Sequence, residues 1–242
     1  MKICLVQTRS SKGDISRNAA AHQRLIGRAS AHGAAAIFFP ELSLTGYEPS
    51  LAEALATHPN DPRLYPFQRL SEGHNLTIGL GLPTRQAAGV CISLLLVQPH
   101  RPVHTYSKKY LHADEEPFFV SGSNIPVVKI GGTRLAPAIC YELSVPEHAQ
   151  TAHRAGAQVY VASVAKSANG VETALERLSA IARTYAMPAL MVNAVGPSDD
   201  FVCGGRSSVF NAAGELLGQL PPDREGLLLY DLGTGAVVAE KA

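Results

Sequence analysis

Residues 135–147 constrain the fold of this chain more than any other stretch. The apolar run at 135–139 has the length and composition of a buried β-strand, and it stops at Cys140, where Tyr141 and Glu142 begin a polar turn. Most free cysteines are simply small, buried apolar residues. A cysteine where a rigid strand meets a polar turn can instead face an open cleft, which is the position that a nucleophile requires. We therefore predict that Cys140 is functional.

Two other strand ends supply the groups that a cysteine nucleophile needs. A thiol requires a base to accept its proton, and the oxyanion that forms on a substrate requires a donor. The apolar run 37–39 leads to the carboxylate of Glu41, and a short extended run from Val103 leads to Lys108 and Lys109. Three strand ends thus offer a carboxylate, an ammonium and a thiol, in chain order.

The order of strands and helices along the chain predicts a layered α/β fold with two sheets, because strands alternate first with helices and then with hairpins. With 242 residues and no obvious linker, the chain is predicted to form a single domain over residues 1–242. Strands are predicted at 3–7, 34–39, 77–83, 91–97, 127–130, 135–140, 159–163, 189–195, 207–211 and 227–231. Helices are predicted at about 14–31, 146–155 and 172–185, and the stretch 49–66 is predicted to be loop and short helix.

Composition excludes several classes of protein. A net charge of +1 gives no reason to expect nucleic acid or an acidic membrane surface as a partner. No apolar run approaches the length of a membrane span, and the first residues lack the apolar region of a signal peptide. The four cysteines form no C-x-x-C pair, so zinc sites and disulfide frameworks are not expected. These features together predict a reduced, cytoplasmic protein.

Three motifs around the strand ends resemble those of the nitrilase, or carbon–nitrogen hydrolase, superfamily, in its amidase-like branch. The Phe-Pro-Glu and Thr-Gly-Tyr sequences at 39–41 and 45–47 are similar to its glutamate motif, residues 108–111 to its Lys-x-x-Leu motif, and residues 139–142 with 146–147 to its cysteine motif. Each motif alone is weak, but all three occur in order and the resemblance covers nearly the whole chain. It implies a four-layer α-β-β-α sandwich of two mixed sheets, which the strand pattern alone does not specify.

The resemblance also implies a catalytic triad of Glu41, Lys108 and Cys140. Glu41 would be the general base for the thiol, and partial burial at a strand end would raise its pKa and make it a better base. Lys108 and the backbone N–H of Tyr141 would stabilise the oxyanion. The ammonium of Lys108 is also expected to lower the pKa of the thiol. This chemistry needs no metal and no cofactor.

Further substrate-binding residues are predicted from the same resemblance. Counted back from Gly122, the second glutamate of the family falls on Glu115, where it would position the substrate and the catalytic lysine. The alternatives are the adjacent Glu116 or an acidic surface loop with no such role. Tyr141 and Glu142 complete the predicted set, with Glu142 either holding the turn or pairing with a cation.

Departures from the family narrow the expected substrate. Many ω-amidase-like members have arginine where this chain has Ser144, so a monoamide of a dicarboxylic acid is less expected. Nitrilases usually have tryptophan in place of Tyr141, and this chain contains no tryptophan. Residues 188–208 resemble the glutaminase parts of NAD synthetases, whereas the Arg-Ala-x-Glu-Asn pattern of the family is lost at 181–185.

The favoured function is hydrolysis of a small primary amide through a thioester. A nitrilase or an N-carbamoyl hydrolase with the same triad is an alternative, and a catalytically silent binding or scaffold protein is an alternative from another class. The expected partners are a small-molecule amide and further copies of this chain, in a homodimer or larger homo-oligomer. The apolar residues Leu227, Leu228, Leu229, Val237 and Val238 are candidates for covering a neighbouring copy.

The two adjacent lysines make the register of this motif testable. Neighbouring residues of a strand face opposite ways, so only one lysine can point into the site. Lys108→Ala is expected to lower turnover by roughly a hundredfold or more, because it removes an oxyanion donor. Lys109→Ala is expected to change stability by about half a kcal/mol at most and turnover very little. Steady-state rates of both variants test which lysine belongs to the motif. If Lys109→Ala were inactive and Lys108→Ala active, the motif would have to be shifted by one residue.

Overall fold

The computed structural model describes residues 1–58, 60–123 and 127–242. Its α-helices are α1 (Ile15–Ala31), α2 (Ala52–Leu55), α3 (Tyr65–His74), α4 (Pro146–Arg154) and α5 (Ala168–Tyr185). Its strands are β1 (Lys2–Gln7), β2 (Ala36–Phe38), β3 (Thr77–Gln86), β4 (Gly89–Val97), β5 (His104–Ser107), β6 (Val128–Ile130), β7 (Thr133–Ile139), β8 (Val159–Val164), β9 (Ala189–Asn193), β10 (Val195–Ser198), β11 (Phe201–Gly204), β12 (Ser208–Phe210), β13 (Leu216–Gln219), β14 (Gly226–Asp231) and β15 (Val237–Lys241).

Two large mixed sheets organise the molecule. The first has the strand order β15-β14-β1-β2-β3-β4-β5 and the second β13-β12-β9-β8-β7-β6, while β10 and β11 form a separate hairpin. Each large sheet has three parallel strands at its centre, β1-β2-β3 in one and β7-β8-β9 in the other, with antiparallel strands on both sides. The carboxyl ends of the parallel strands therefore gather at one edge of each sheet, where sites in open α/β sheets form.

The hydrophobic cores define four layers. One core lies between the two sheets and takes side chains from both, such as Phe38 and Leu94 from the first and Ile139 and Val161 from the second. A second core packs α1 and α3 on the outer face of the first sheet, and a third packs α4 and α5 on the outer face of the second. The predicted α-β-β-α sandwich of two mixed sheets is thus confirmed. None of the helices in the described ranges is both long and apolar enough to cross a membrane.

Local signals account for the ends of the long helices. Asp14 caps α1 by accepting a hydrogen bond from the Arg17 N–H at 3.0 Å, and Gly33 follows the helix with a φ of +76°. Helix α5 begins four residues before the predicted start at 172, because Ser167 caps it through the Gly170 N–H. Residues 168–170 are alanine, asparagine and glycine, and they lack the apolar periodicity on which the prediction depended.

The C-terminal segment differs from its prediction. Leu227, Leu228 and Leu229 are buried inside their own chain, in strand β14 beside β1. Strand β15 was not predicted, and it pairs with β14 at the edge of the sheet, where Val238 is exposed. The three leucines therefore cannot cover a neighbouring copy. The homo-oligomer itself remains a prediction.

Gly81 of β3 fixes the course of the chain after β2. A Cβ at this position would lie 2.5 Å from the Leu42 nitrogen and closer still to the Pro40 carbonyl oxygen. The backbone on both sides of Glu41 thus crosses directly over the glycine. Leu44 returns over the same residue by donating its N–H to the Gly81 carbonyl oxygen at 3.0 Å. This close approach holds Glu41 at the edge of the first sheet.

Gly81→Ala is expected to push the segment that carries Glu41 away from β3. Overpacking of this kind costs about 1–3 kcal/mol in the free energy of unfolding, and it should also slow the reactions of Cys140, because Glu41 moves with the backbone. Gly27→Ala is the matched control: a Cβ there meets nothing within 4 Å in the middle of α1, so the change should stabilise by up to about 1 kcal/mol. Thermal unfolding and alkylation of Cys140 report the two effects. If Gly81→Ala and Gly27→Ala had the same thermal stability and the same rate of Cys140 alkylation, this role of Gly81 would be contradicted.

Candidate active site

The structure brings the three predicted catalytic residues to the same edge of the sandwich. Glu41 lies three residues beyond β2, Lys108 directly follows β5, and Cys140 directly follows β7. The backbone of Lys108 is held on both sides, since its N–H donates to the Ile92 carbonyl oxygen at 2.8 Å and its own carbonyl oxygen accepts from the Gly122 N–H at 2.7 Å. All three groups are thus carried by elements that the central core makes rigid.

Lys108 is the centre of a buried ion cluster. Its Nζ lies 2.8 Å from Oε1 of Glu41 and 2.6 Å from Oε1 of Glu115, and all three residues are 3% exposed or less. Lys109 and Glu116 are both exposed. The structure therefore places Lys108 and Glu115 together in the interior, and it leaves their two neighbours at the surface.

The cluster raises the pKa of Glu41. Burial is the largest cause; the ammonium of Lys108 opposes it, the carboxylate of Glu115 adds to it, and the result is a pKa of about 7. One ammonium is shared by two carboxylates, so a second negative charge in this interior is costly. Oε2 of Glu41 is buried and accepts no hydrogen bond from the described residues. Glu41 can therefore gain or lose a proton near neutral pH at little cost, as a general acid–base group must.

Cys140 is held in a strained backbone conformation. Its φ is +44°, in the left-handed region that residues with a side chain rarely adopt, at the start of a 3₁₀-helix over Cys140–Ser144. Burial and the charge of Glu41 raise the pKa of the thiol to about 11, although Lys166 and Lys108 act to lower it. The expected lowering by Lys108 is present, but burial outweighs it. The thiol therefore keeps its proton until a base removes it.

Glu142 has a different place from the one predicted. It is fully buried and does not line the cavity beside Cys140. Its Oε2 accepts from the Ile139 N–H at 2.8 Å and from the Tyr106 hydroxyl at 2.7 Å, and its Oε1 accepts from the Lys109 N–H at 2.7 Å. The carboxylate thus joins the end of β7 to the end of β5. Of the two roles expected for Glu142, holding the turn or pairing with a cation, these hydrogen bonds agree with the first. Its position outside the cavity does not agree with its place in the predicted substrate-binding set.

A cavity of about 210 Å³ opens beside Cys140. It is lined by the predicted residues Glu115, Cys140 and Tyr141 and also by Tyr47, His112, Asp114, Lys166, Ser167, Gly170 and Phe201. Its volume lies below the range for drug-sized ligands, so the site suits a small molecule. A larger cavity of about 460 Å³, lined by Gln98 and Thr133 among others, contains none of the predicted site residues. The larger of these two cavities is therefore not the candidate active site.

Two residues of this cavity escaped the sequence analysis. Tyr47 donates its hydroxyl to Oε1 of Glu115 at 3.1 Å, and its position in the Thr-Gly-Tyr motif was the available signal. Lys166 follows β8, so it stands at a strand end as Lys108 does. The strand prediction ended at Ser163 and no polar residue beyond it was considered. Within the described ranges, no group of three or more histidine, cysteine, aspartate or glutamate residues could hold a metal ion.

The fold and the buried glutamate–lysine–cysteine arrangement define a hydrolase of the nitrilase superfamily type. A family model described as carbon-nitrogen hydrolase matches residues 2–239. The chain belongs to the carbon–nitrogen hydrolase family. It is an enzyme that acts on carbon–nitrogen bonds other than peptide bonds, which rules out the catalytically silent scaffold considered above.

Known proteins similar to this chain include several amidases. The NitN amidase of Nesterenkonia sp. AN1 superimposes with a TM-score of 0.87 at 28% sequence identity, covering 96% of this chain and 92% of its own. An (R)-stereoselective amidase of Pseudomonas sp. is 26% identical over 90% of this chain and 80% of its own length. A glutamine-dependent NAD(+) synthetase of Thermotoga maritima is 25% identical over 96% of this chain, which corresponds to 42% of that protein.

Glu115→Gln is expected to move the pH dependence of Cys140 alkylation. In the wild type, the rate with iodoacetamide should rise with pH through about 7, as Glu41 loses its proton and becomes able to accept the thiol proton. The negative charge of Glu115 raises the pKa of Glu41, so its removal should shift this rise to lower pH. Glu116→Gln is the matched control on the exposed neighbour and should leave the profile in place. An unmoved profile in Glu115→Gln would contradict the electrostatic coupling.

Proposed function

We propose that this enzyme hydrolyses a small primary amide to the carboxylic acid and ammonia through a thioester on Cys140. The observation that carries the proposal is the buried cluster of Glu41, Lys108 and Glu115, which reaches the same cavity as the Cys140 thiol through Glu115. A base with a pKa of about 7 beside a thiol with a pKa of about 11 is arranged to take the proton during attack.

In the first half-reaction, Sγ of Cys140 forms a bond to the amide carbon while its proton passes to Glu41. The carbonyl electrons move to oxygen, and the oxyanion is stabilised by the Lys108 ammonium and the Tyr141 N–H. The carbon–nitrogen bond then breaks as Glu41 returns its proton to the leaving nitrogen. Ammonia departs and the acyl group remains on sulfur.

In the second half-reaction, water attacks the thioester carbon and gives a proton to Glu41. The carbon–sulfur bond breaks, the acid leaves, and the proton returns from Glu41 to the Cys140 sulfur. Glu115 keeps the Lys108 ammonium in place through both steps, because it is the second of the two carboxylates that hold Nζ. Glu142 keeps the nucleophile in place, because it ties the turn after β7 to the backbone after β5.

Related enzymes support the choice of an amide over a nitrile or an N-carbamoyl compound. Structures of variants of the Nesterenkonia amidase include a complex with butyramide and, at the active-site cysteine, the Michael addition of acrylamide and the covalent addition of the acetamide moiety of fluoroacetamide. An omega-amidase of Yersinia enterocolitica is 26% identical over 81% of this chain and 76% of its own length. Tyr141 of this chain also occupies the position at which the nitrilases resembled above have tryptophan.

The test is a panel of short-chain amides, the matching nitriles and N-carbamoyl amines, with ammonia and the organic products measured separately. The wild type is expected to convert amides to acid and ammonia. Cys140→Ala is expected to lose at least about a thousandfold in turnover, because no thioester can form. Cys91→Ala is the matched control, since Cys91 is buried in β4 and does not line the cavity.

Mass spectrometry of the enzyme quenched during turnover tests the intermediate itself. The wild type is expected to carry an acyl group on the Cys140 peptide, and Glu41→Gln is expected to carry none, because acylation then lacks the base that takes the thiol proton. Full turnover by Cys140→Ala would overturn the proposed function. Carbon dioxide and amine as products would assign the N-carbamoyl alternative, and acid formed from nitriles alone would assign a nitrilase.

A further inference from the structure

Lys166 is a cation of the active-site cavity that has no step in the proposed reaction, although its charge acts to lower the pKa of the Cys140 thiol. It follows β8 and lines the cavity together with Cys140 and Tyr141. The residue is half-buried, whereas Lys108 is fully buried beneath the same site. The two lysines therefore differ in what they can reach. Lys108 is enclosed among carboxylates, and Lys166 is open to whatever enters the cavity.

The backbone of Lys166 is held rigidly by Asn193. The Lys166 N–H donates to Oδ1 of Asn193 at 2.9 Å, and the Lys166 carbonyl oxygen accepts from Nδ2 of Asn193 at 3.0 Å and from the Gly204 N–H at 2.8 Å. Asn193 is fully buried at the end of β9. A Cβ added to Gly170, which also lines the cavity, would lie 3.7 Å from Cβ of Lys166 and 3.9 Å from its Cγ. The backbone of Lys166 is thus fixed beside the cavity, and its side chain starts from a defined position.

The charge of Lys166 has no ion-pair partner among the described residues. Its Nζ makes no salt bridge, in contrast to that of Lys108, which makes two. The acidic groups of the cavity are already engaged: Glu115 by Lys108, and Asp114 by Nδ1 of His112 at 2.5 Å. A partly desolvated ammonium without a counter-ion costs free energy that an anionic ligand group would recover.

We propose that Lys166 receives a carboxylate at the far end of the substrate's acyl chain. The substrate class is then the monoamide of a short dicarboxylic acid, with the amide carbon at Cys140 and the carboxylate at Lys166. This inference rests on the proposed function, and it reverses the expectation drawn from Ser144. That serine accepts a hydrogen bond from Arg177, and neither residue lines this cavity. The cation missing at position 144 is supplied at position 166 instead.

The first experiment compares succinamate with butyramide, in which a methyl group replaces the carboxylate. The wild type is expected to favour succinamate in kcat/KM. Lys166→Met should lower the ratio of the two kcat/KM values by about ten- to a hundredfold, the scale of a hydrogen bond to a charged group. Lys166→Arg keeps the charge and should retain most of the preference. Lys129→Met, which removes an exposed lysine that lines the other, larger cavity, is the matched control and should leave the ratio unchanged.

The second experiment measures binding without turnover and separates this inference from the proposed function. Succinamate is titrated calorimetrically into Cys140→Ala and into Cys140→Ala with Lys166→Met, and affinity is expected to fall by at least about tenfold in the double variant. Equal affinities would overturn the inference, whether or not the wild type hydrolyses amides. An unchanged ratio of the two kcat/KM values in Lys166→Met would also overturn it, because the whole effect of the lysine would then come from its charge beside the thiol. Hydrolysis of butyramide with no preference for succinamate would remove the inference and leave the proposed function intact.

Discussion

The structure of this active site depends on one buried ammonium held between two carboxylates. Lys108 is completely enclosed, and its charge is tolerated because Glu41 and Glu115 both lie within hydrogen-bond distance of Nζ. Taking a charge out of water costs several kcal/mol unless partners of good geometry replace the solvent. The three side chains come from separate parts of the chain, so the cluster exists only when the first sheet and the loops beyond it are correctly formed. The geometry of the site therefore exists only in the folded chain.

The same cluster sets the acid–base chemistry. Burial, together with the carboxylate of Glu115, raises the pKa of Glu41 to about 7 against the opposing charge of Lys108, and burial raises the pKa of the Cys140 thiol to about 11. A thiol of this kind does not rest as a thiolate, so its proton must be removed as it attacks, by a base that can also release that proton to the leaving group. The positive φ of Cys140 and the hydrogen bonds of Glu142 fix the position of the sulfur for that transfer. Burial thus weakens the resting nucleophile and strengthens the base together.

In the proposed reaction and substrate contact, the nucleophile and the cation come from neighbouring strand ends of the second sheet, whereas Glu41 and Lys108 follow strands of the first. Cys140 follows β7 and Lys166 follows β8, and these two strands run parallel. The side chains after adjacent parallel strands reach the same crevice, so the proposed contacts at the two ends of the substrate need no additional domain. On this proposal, substitutions after β8 change the substrate without disturbing the buried cluster.

The sequence alone predicted the layered α/β class and, through its motifs, a carboxylate, an ammonium and a thiol at three strand ends. Runs of strand-forming residues that stop before Glu41, Lys108 and Cys140 carry this information locally, because a strand and the residues that follow it are consecutive in the chain. The sequence could not assign Glu142 to the interior, because its partners at Ile139, Tyr106 and Lys109 meet only when β5 and β7 are placed side by side. It also did not predict the edge strand β15 or the place of Lys166 beside Cys140. Both depend on contacts between residues far apart in the chain, and such contacts exist only in the assembled fold.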